Sequence, residues 1–269
     1  MVRKIAEKGY IFLMLGILYA PILMIIIYSF SNTNNFTFPE GFTFEAYVQL
    51  FTNAPRKLWD SMLNTIIIAV VSSVLATLIG SISAVGIYYL KPRARRIVEN
   101  VNQLPIINSE IVMAVSLMLF FATFGFPQGY VRLIIGHVSF CTPYVILSVM
   151  PRLMQMDPNI YEAALDLGAS PIKALFKVII PTILPGVISG FAMAFTISLD
   201  DFIITQLTKG SSTGIDTLST YLYGSLRNAS GLKPFWLPVF SIIIVVVVFV
   251  VLFSNFRSYR VDGKKKEAK

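Results

Sequence analysis

The stretch YEAALDLGASPIKALFKVIIPTILPGV, residues 161–187, begins as a short polar segment rich in alanine and lies between two long apolar runs. Just before it, Asp157 and Pro158 form an N-cap with proline at the first helical position. NIYEAALDL then supplies about two and a half turns of helix. Gly168 falls where a chain turns left-handed at a helix C-terminus. Ser170-Pro171 repeats the cap-and-proline signal and opens a second helix, IKALFKVII, which runs into Pro181 and the next apolar run. On the first helix Ile160, Ala163, Ala164 and Leu167 recur at i, i+3, i+4 and i+7 and define one apolar face, flanked by an acidic edge of Glu162 and Asp166. Helices that lie on lipid are usually basic and carry larger apolar residues. An acidic helix with a narrow alanine stripe fits a protein partner better, with the interfacial linker as the alternative.

Composition sets the solvent for the rest. Of 269 residues, 55% are hydrophobic and 13% charged, where a soluble domain carries about a quarter charged residues. Most of the surface therefore faces something other than water. Six apolar stretches approach the ~20 residues needed to cross a bilayer, over 10–30, 62–90, 104–124, 131–150, 179–203 and 235–256. The second and sixth hold no charge; the fourth is interrupted by Arg132, His137 and Pro143. The first follows Arg3, Lys4 and Lys8, but its apolar run is too long for a signal peptide and no A-x-A-like site follows, so it reads as a retained span. The expectation is an all-α polytopic membrane protein: a short N-terminus (1–9), a six-helix domain (10–256) containing a cytoplasmic loop (151–178), and a basic tail (257–269).

Basic residues orient the spans. Lys91, Arg93, Arg95 and Arg96 fall in one loop, Arg152, Lys173 and Lys177 in another, and Arg257, Arg260, Lys264, Lys265, Lys266 and Lys269 in the tail. With Arg3, Lys4 and Lys8 they share one side, which the positive-inside rule makes cytoplasmic, so both termini are expected inside. The net charge of +8 is then explained by anionic lipid headgroups, without nucleic acid. Cys141 is the one cysteine and reads as a small core hydrophobe. His137 is the one histidine, which excludes an H-E-x-x-H zinc site and leaves it as a hydrogen-bonded packing residue. Neither a G-x-S-x-G elbow nor a G-x-x-x-x-G-K-[ST] loop occurs, so if ATP is used another chain binds it. A transporter, a channel and a membrane scaffold all remain open on these grounds.

Glu162, Ala163, Ala164, Gly168 and then Ile183, Leu184 and Pro185, set between the fourth and fifth spans, resemble the cytoplasmic loop of permease subunits of bacterial ABC importers. FTFEAYVQLF and LNTIIIAVVSSVLATLIGSISA, before and within the second span, are similar to the same family. The resemblance implies a type I ABC importer permease, MetI-like, multi-pass in the bacterial plasma membrane. It implies that the 161–187 stretch is a coupling helix seated in a separate ATPase, with Glu162, Ala163, Ala164, Asp166 and Gly168 as the coupling residues. ATP and Mg would be bound by that partner, with no cofactor in this chain. A second permease, two ATPase subunits and an extracytoplasmic binding protein complete the implied assembly, the last docking on loops 31–61 and 204–234.

Charge inside a span costs about 2.5–3.5 kcal/mol at its centre on insertion scales, which singles out Glu110, near the inner end of the third span, and Asp200 and Asp201, near the outer end of the fifth. Glu110 also reads as a carboxylate near a helix N-terminus, helped by the dipole and interfacial water, and the aspartate pair as a wetted helix end. Alternatively, the aspartates form a negative collar suited to a cationic substrate. NSEIVMAVSLMLFF and SLDDFIIT resemble spermidine/putrescine permeases, which implies a linear polyamine meeting Asp200, Asp201 and Glu110. Iron, thiamine and an ATP-independent carrier remain as alternatives at this point.

Overall fold

The computed structural model describes residues 2–31, 41–210, 213–227 and 237–246. Among these the chain is helical, with one isolated bridge between Ser31 and Phe42. It divides into two compact units, Met1–Arg56 with Gly224–Lys269, and Lys57–Tyr223.

The first unit contains α1 (Val2–Ser29) and α2 (Glu45–Thr52). Phe30 stacks on Phe42 and Tyr47, with ring centroids 5.2 and 5.0 Å away, and Phe44 meets it edge-on. The Tyr47 hydroxyl donates to Ser241 Oγ at 3.1 Å and lies 2.8 Å from Ser29 Oγ. The aromatic run after residue 41 thus closes a local cluster over the end of α1.

The second unit is built from α3 (Arg56–Tyr88), α4 (Pro92–Ile107), α5 (Glu110–Thr123), α6 (Tyr130–Gln155), α7 (Ile160–Asp166), α8 (Pro171–Ala174), α9 (Ile180–Asp200), α10 (Ile203–Thr208) and the start of α11 (Leu218–Arg227). The core gathers where α6 and α9 pack together, around Cys141, Val145, Val149, Ile183 and Ala194. Small residues let the backbones approach, as between helices in lipid. A Cβ on Gly80 of α3 would lie 2.7 Å from Val145 Cβ, and one on Gly190 of α9 would lie 3.1 Å from Val145 Cγ1. Three helices therefore close on a single valine.

Among the described residues, four helices are long and apolar enough to cross a membrane: Gly9–Ser29, Arg56–Tyr88, Tyr130–Gln155 and Pro171–Asp200. They correspond to the expected first, second, fourth and fifth spans. Arg132 does not interrupt α6, because its guanidinium donates to the Phe126 carbonyl and lies 5.6 Å from the centre of the Phe121 ring. The third expected span, 104–124, is not one helix. Residues 104–107 finish α4, and α5 starts afresh after Asn108 and Ser109, bent by 103° from α4. The 14 residues of α5 are about 21 Å long, short of the ~30 Å hydrocarbon core, so a span here needs both pieces. Of the sixth, 235–256, the apolar helix α12 (Leu237–Val246) is seen, and 247–256 lies outside the described residues, as does the tail 257–269. The segment expected as an outer loop from residue 204 starts instead as α10, with Ile204, Thr205 and Thr208 buried against α5 and α6.

Gly80→Val should cost on the order of 1–3 kcal/mol through overpacking, seen as a lower melting temperature of the detergent-solubilised protein. Gly86→Ala, at a glycine whose added Cβ meets nothing within 4 Å, should leave the melting temperature in place.

Candidate functional site

The loop between α6 and α9 begins with a turn. Asp157 Oδ1 accepts the Asn159 amide at 2.9 Å and the Asp157 carbonyl accepts that of Ile160 at 3.1 Å. The helix proper therefore starts at Ile160 after Asn159, two residues later than a cap at Asp157 would place it. Its end follows the expected chemistry. Gly168 has φ +84°, its amide donates to Leu165 O at 2.8 Å, and the amide of Ala169 donates to Ala164 O at 3.1 Å. That six-to-one, five-to-two pattern is the Schellman motif. Ser170 Oγ then caps Lys173 N at 3.4 Å, with Pro171 as the first helical residue. The helix widens into one π turn over Leu175–Ile179 and continues as α9. Pro181 follows at once; it offers no N–H to the preceding turn, and the π turn re-registers the ladder around it.

The loop buries a different face from the one the sequence pattern marks. Ile160 and Tyr161 pack against the core, with Ala164 and Leu165 half-buried, while Glu162, Ala163, Asp166 and Gly168 are exposed. Leu167 is 89% exposed, Ile172 70% and Phe176 62%. Three large apolar side chains thus stand in the open on one short loop, the kind of patch a partner covers. Beside them is a cavity of about 320 Å³ lined by Val85, Tyr89, Tyr161, Pro171, Ile172 and Leu175.

At the other end of α9 the two aspartates part company. Asp200, the last residue of the helix, is exposed. The side chain of Asp201 is 4% exposed. Its carboxylate accepts the amides of Ile204 (3.2 Å) and Thr205 (2.8 Å) and the Thr205 hydroxyl (2.7 Å), so it caps the first turn of α10. His137 of α6 lies within 3.5 Å of it and bridges Ser198 Oγ (2.7 Å) and Thr205 Oγ1 (3.0 Å). Glu110 is exposed in the first turn of α5, behind the Ser109 cap, and no hydrogen bond or ion pair joins it to either aspartate among the described residues. The pattern DDFIIT already held the signal for the cap, an acid followed by Thr at i+4 at a helix start; the partner histidine, on another helix, had none.

A second polar cluster also escapes the sequence. Asp216 is held by Lys209 Nζ at 2.6 Å and Lys57 Nζ at 3.0 Å. Its backbone carbonyl accepts from Asn64 at 3.0 Å, and Asn64 in turn accepts from the Tyr130 hydroxyl at 2.6 Å. The segment after α10 is thereby clasped to the starts of α3 and α6. Burial alone would push the Asp216 carboxyl up, but the hydrogen bonds and charges of Lys209 and Lys57 outweigh it and hold the carboxyl below its ordinary value.

Residues 76–261 match the binding-protein-dependent transport system inner membrane component family. This chain belongs to that family. Among its relatives, the spermidine/putrescine transport system permease protein PotC of Haemophilus influenzae is 34% identical over 212 residues, 79% of this chain and 82% of that protein. PotC of Escherichia coli K12 is also 34% identical, over 82% of this chain and 83% of its own length. A chain of a bacterial ABC transporter that imports the acidic polysaccharide alginate shares the fold with a TM-score of 0.72, at 20% identity, covering 95% of this chain and 96% of the other. The family is one of membrane transport permeases, not of enzymes.

A carboxyl held low in the folded state contributes stability above its unfolded value, about 3.8 for Asp216, and loses it as pH falls through the depressed value. Melting temperature should therefore be lower in Asp216→Asn than in the native chain at pH 7, and the gap should close only below about pH 3.8.

Proposed function

We propose that this chain is one of two permease subunits of an ATP-driven importer that moves linear polyamines across the bacterial plasma membrane, with six spans and both termini in the cytoplasm. The observation that carries the reading is the 34% identity to spermidine/putrescine permeases over 79% of the chain. Charge supports it: Asp200 stands exposed at the end of α9 and Glu110 at the start of α5, and carboxylates along a path attract a di- or trivalent cation. Asp201 contributes to this site from behind, as the cap of α10. The assembly contains a second permease, two ATPase subunits that bind ATP and Mg, and an extracytoplasmic binding protein on the outer face.

The loop 151–178 is the transmission. The exposed rim of Leu167, Ile172 and Phe176, with Glu162, Ala163, Ala164, Asp166 and Gly168 beside it, seats in an ATPase subunit. Because Pro171–Asp200 runs as one continuous helix through the π turn at Leu175–Ile179, a push at its cytoplasmic start is carried toward Asp200 at its far end. Gly168 supplies the left-handed turn that sets the angle between α7 and this lever.

Uptake of radiolabelled putrescine and spermidine by cells expressing the full importer tests both halves. Asp200→Asn should raise the KM for uptake about tenfold, through loss of a paired charge worth about 1.4 kcal/mol, while the complex still assembles. Leu167→Asp and Ala163→Trp should abolish co-purification with the ATPase and with it transport. Normal polyamine uptake in Asp200→Asn would remove the cationic pathway; normal ATPase capture by both loop variants would remove the coupling role.

A further inference from the structure

His137 is the one histidine of the chain, its side chain is 1% exposed, and transport as described so far gives it nothing to do. Its two ring nitrogens are both occupied, and by different helices: Nδ1 meets Ser198 of α9 and Nε2 meets Thr205 of α10. The Thr205 hydroxyl donates to Asp201 Oδ2, so toward the ring it acts as the acceptor. Nε2 therefore carries a proton, and with the ring neutral Nδ1 accepts from the Ser198 hydroxyl. Every member of the chain Ser198–His137–Thr205–Asp201 is satisfied with a neutral imidazole. No apolar residue substitutes, since Ser198 and Thr205 are 4% and 0% exposed and an unmatched buried hydroxyl is costly.

The chain of bonds also fixes a joint. Ser198 belongs to the last turn of α9, Thr205 to the first turns of α10, and Asp201 lies at the junction between them. Tying both sides to one rigid ring on α6 sets the direction in which α9 ends. Asp200 is the residue at that end, exposed while its neighbour is turned inward.

We infer that His137 is a positioning residue for substrate: by bridging Ser198 and Thr205, and through Thr205 the Asp201 cap, it holds Asp200 in the orientation that binds the cationic substrate. This rests on the reading of Asp200 as the substrate-facing carboxylate. A loose supporting shell degrades a charged contact even where the contacting group is intact, so the effect falls on KM more than on the maximal rate.

The test is polyamine uptake by the full importer, with the membrane content of each variant measured by immunoblot. Thr205→Val, nearly isosteric but without the hydroxyl that links His137 to Asp201, should raise KM for spermidine about tenfold with the maximal rate nearly unchanged. Thr205→Ser, which keeps the hydroxyl, should restore it. His137→Leu should behave as Thr205→Val does; should it fail to accumulate, the Thr205 pair carries the test alone. The decisive arm combines Thr205→Val with Asp200→Asn. If His137 and Thr205 act through Asp200, the double variant is no worse than Asp200→Asn by itself. Multiplying defects, an unchanged KM in Thr205→Val, or a loss of maximal rate alone would overturn the positioning role while leaving Asp200 as a substrate contact. An Asp200→Asn variant with native uptake would instead remove the substrate reading and the positioning role together.

Discussion

A helix that stops inside an apolar bundle leaves backbone N–H groups where water cannot reach them, and each has to find another partner. In this chain α10 restarts this way, packed against α5 and α6, and α5 restarts at a more open position; a side chain meets each. At α10 the carboxylate of Asp201 takes the amides of Ile204 and Thr205. At α5 the hydroxyl of Ser109 takes that of Val112, at 3.4 Å. The two carboxylates proposed to meet substrate, Asp200 and Glu110, each sit next to one of these caps. Interruptions of transmembrane helices are where transporters gather polar groups, and here satisfying the backbone and placing a charge are done by adjacent residues.

The remainder of the architecture is a tightly packed bundle, stiff enough to suit the proposed transmission. Gly80 and Gly190 bring α3 and α9 onto Val145 of α6, so the three helices have little freedom to slide. At one end of the unit the clasp of Asp216 with Lys57 and Lys209 ties the segment after α10 to α3. At the other, α7 and α8 are joined by the left-handed Gly168 and carry large apolar residues that the chain itself leaves uncovered. A lever needs a stiff arm, a fixed bearing and an exposed handle. In the proposed coupling role, the long helix Pro171–Asp200, the glycine contacts and the Leu167 rim would supply these in turn.

Much of this was legible in the sequence where a signal is local. Gly168, Ser170 and Pro171 are capping signals that act within a few residues, and the loop forms as they dictate. The uncharged run of α3 announces a span by composition alone. What could not be read depends on distant parts of the chain. The pattern at 104–124 looks continuous because Asn108 and Ser109 are a two-residue break in an otherwise apolar run, yet one helix ends at Asn108 and the cap at Ser109 starts another. Ile160, Ala163, Ala164 and Leu167 share a helical face by period, but the core takes Ile160 and Tyr161, and Leu167 is left outside. Asp200 and Asp201 look equivalent until His137, more than sixty residues earlier, reserves one of them for the fold.

On the proposed function, this chain passes polyamine only when a nucleotide-hydrolysing partner drives it. Reconstitution of the permease pair and binding protein into vesicles, with the ATPase either included or left out, tests it most directly. The account predicts accumulation of spermidine or putrescine that requires both the ATPase and ATP. Uptake that proceeds equally well with the ATPase omitted would contradict it.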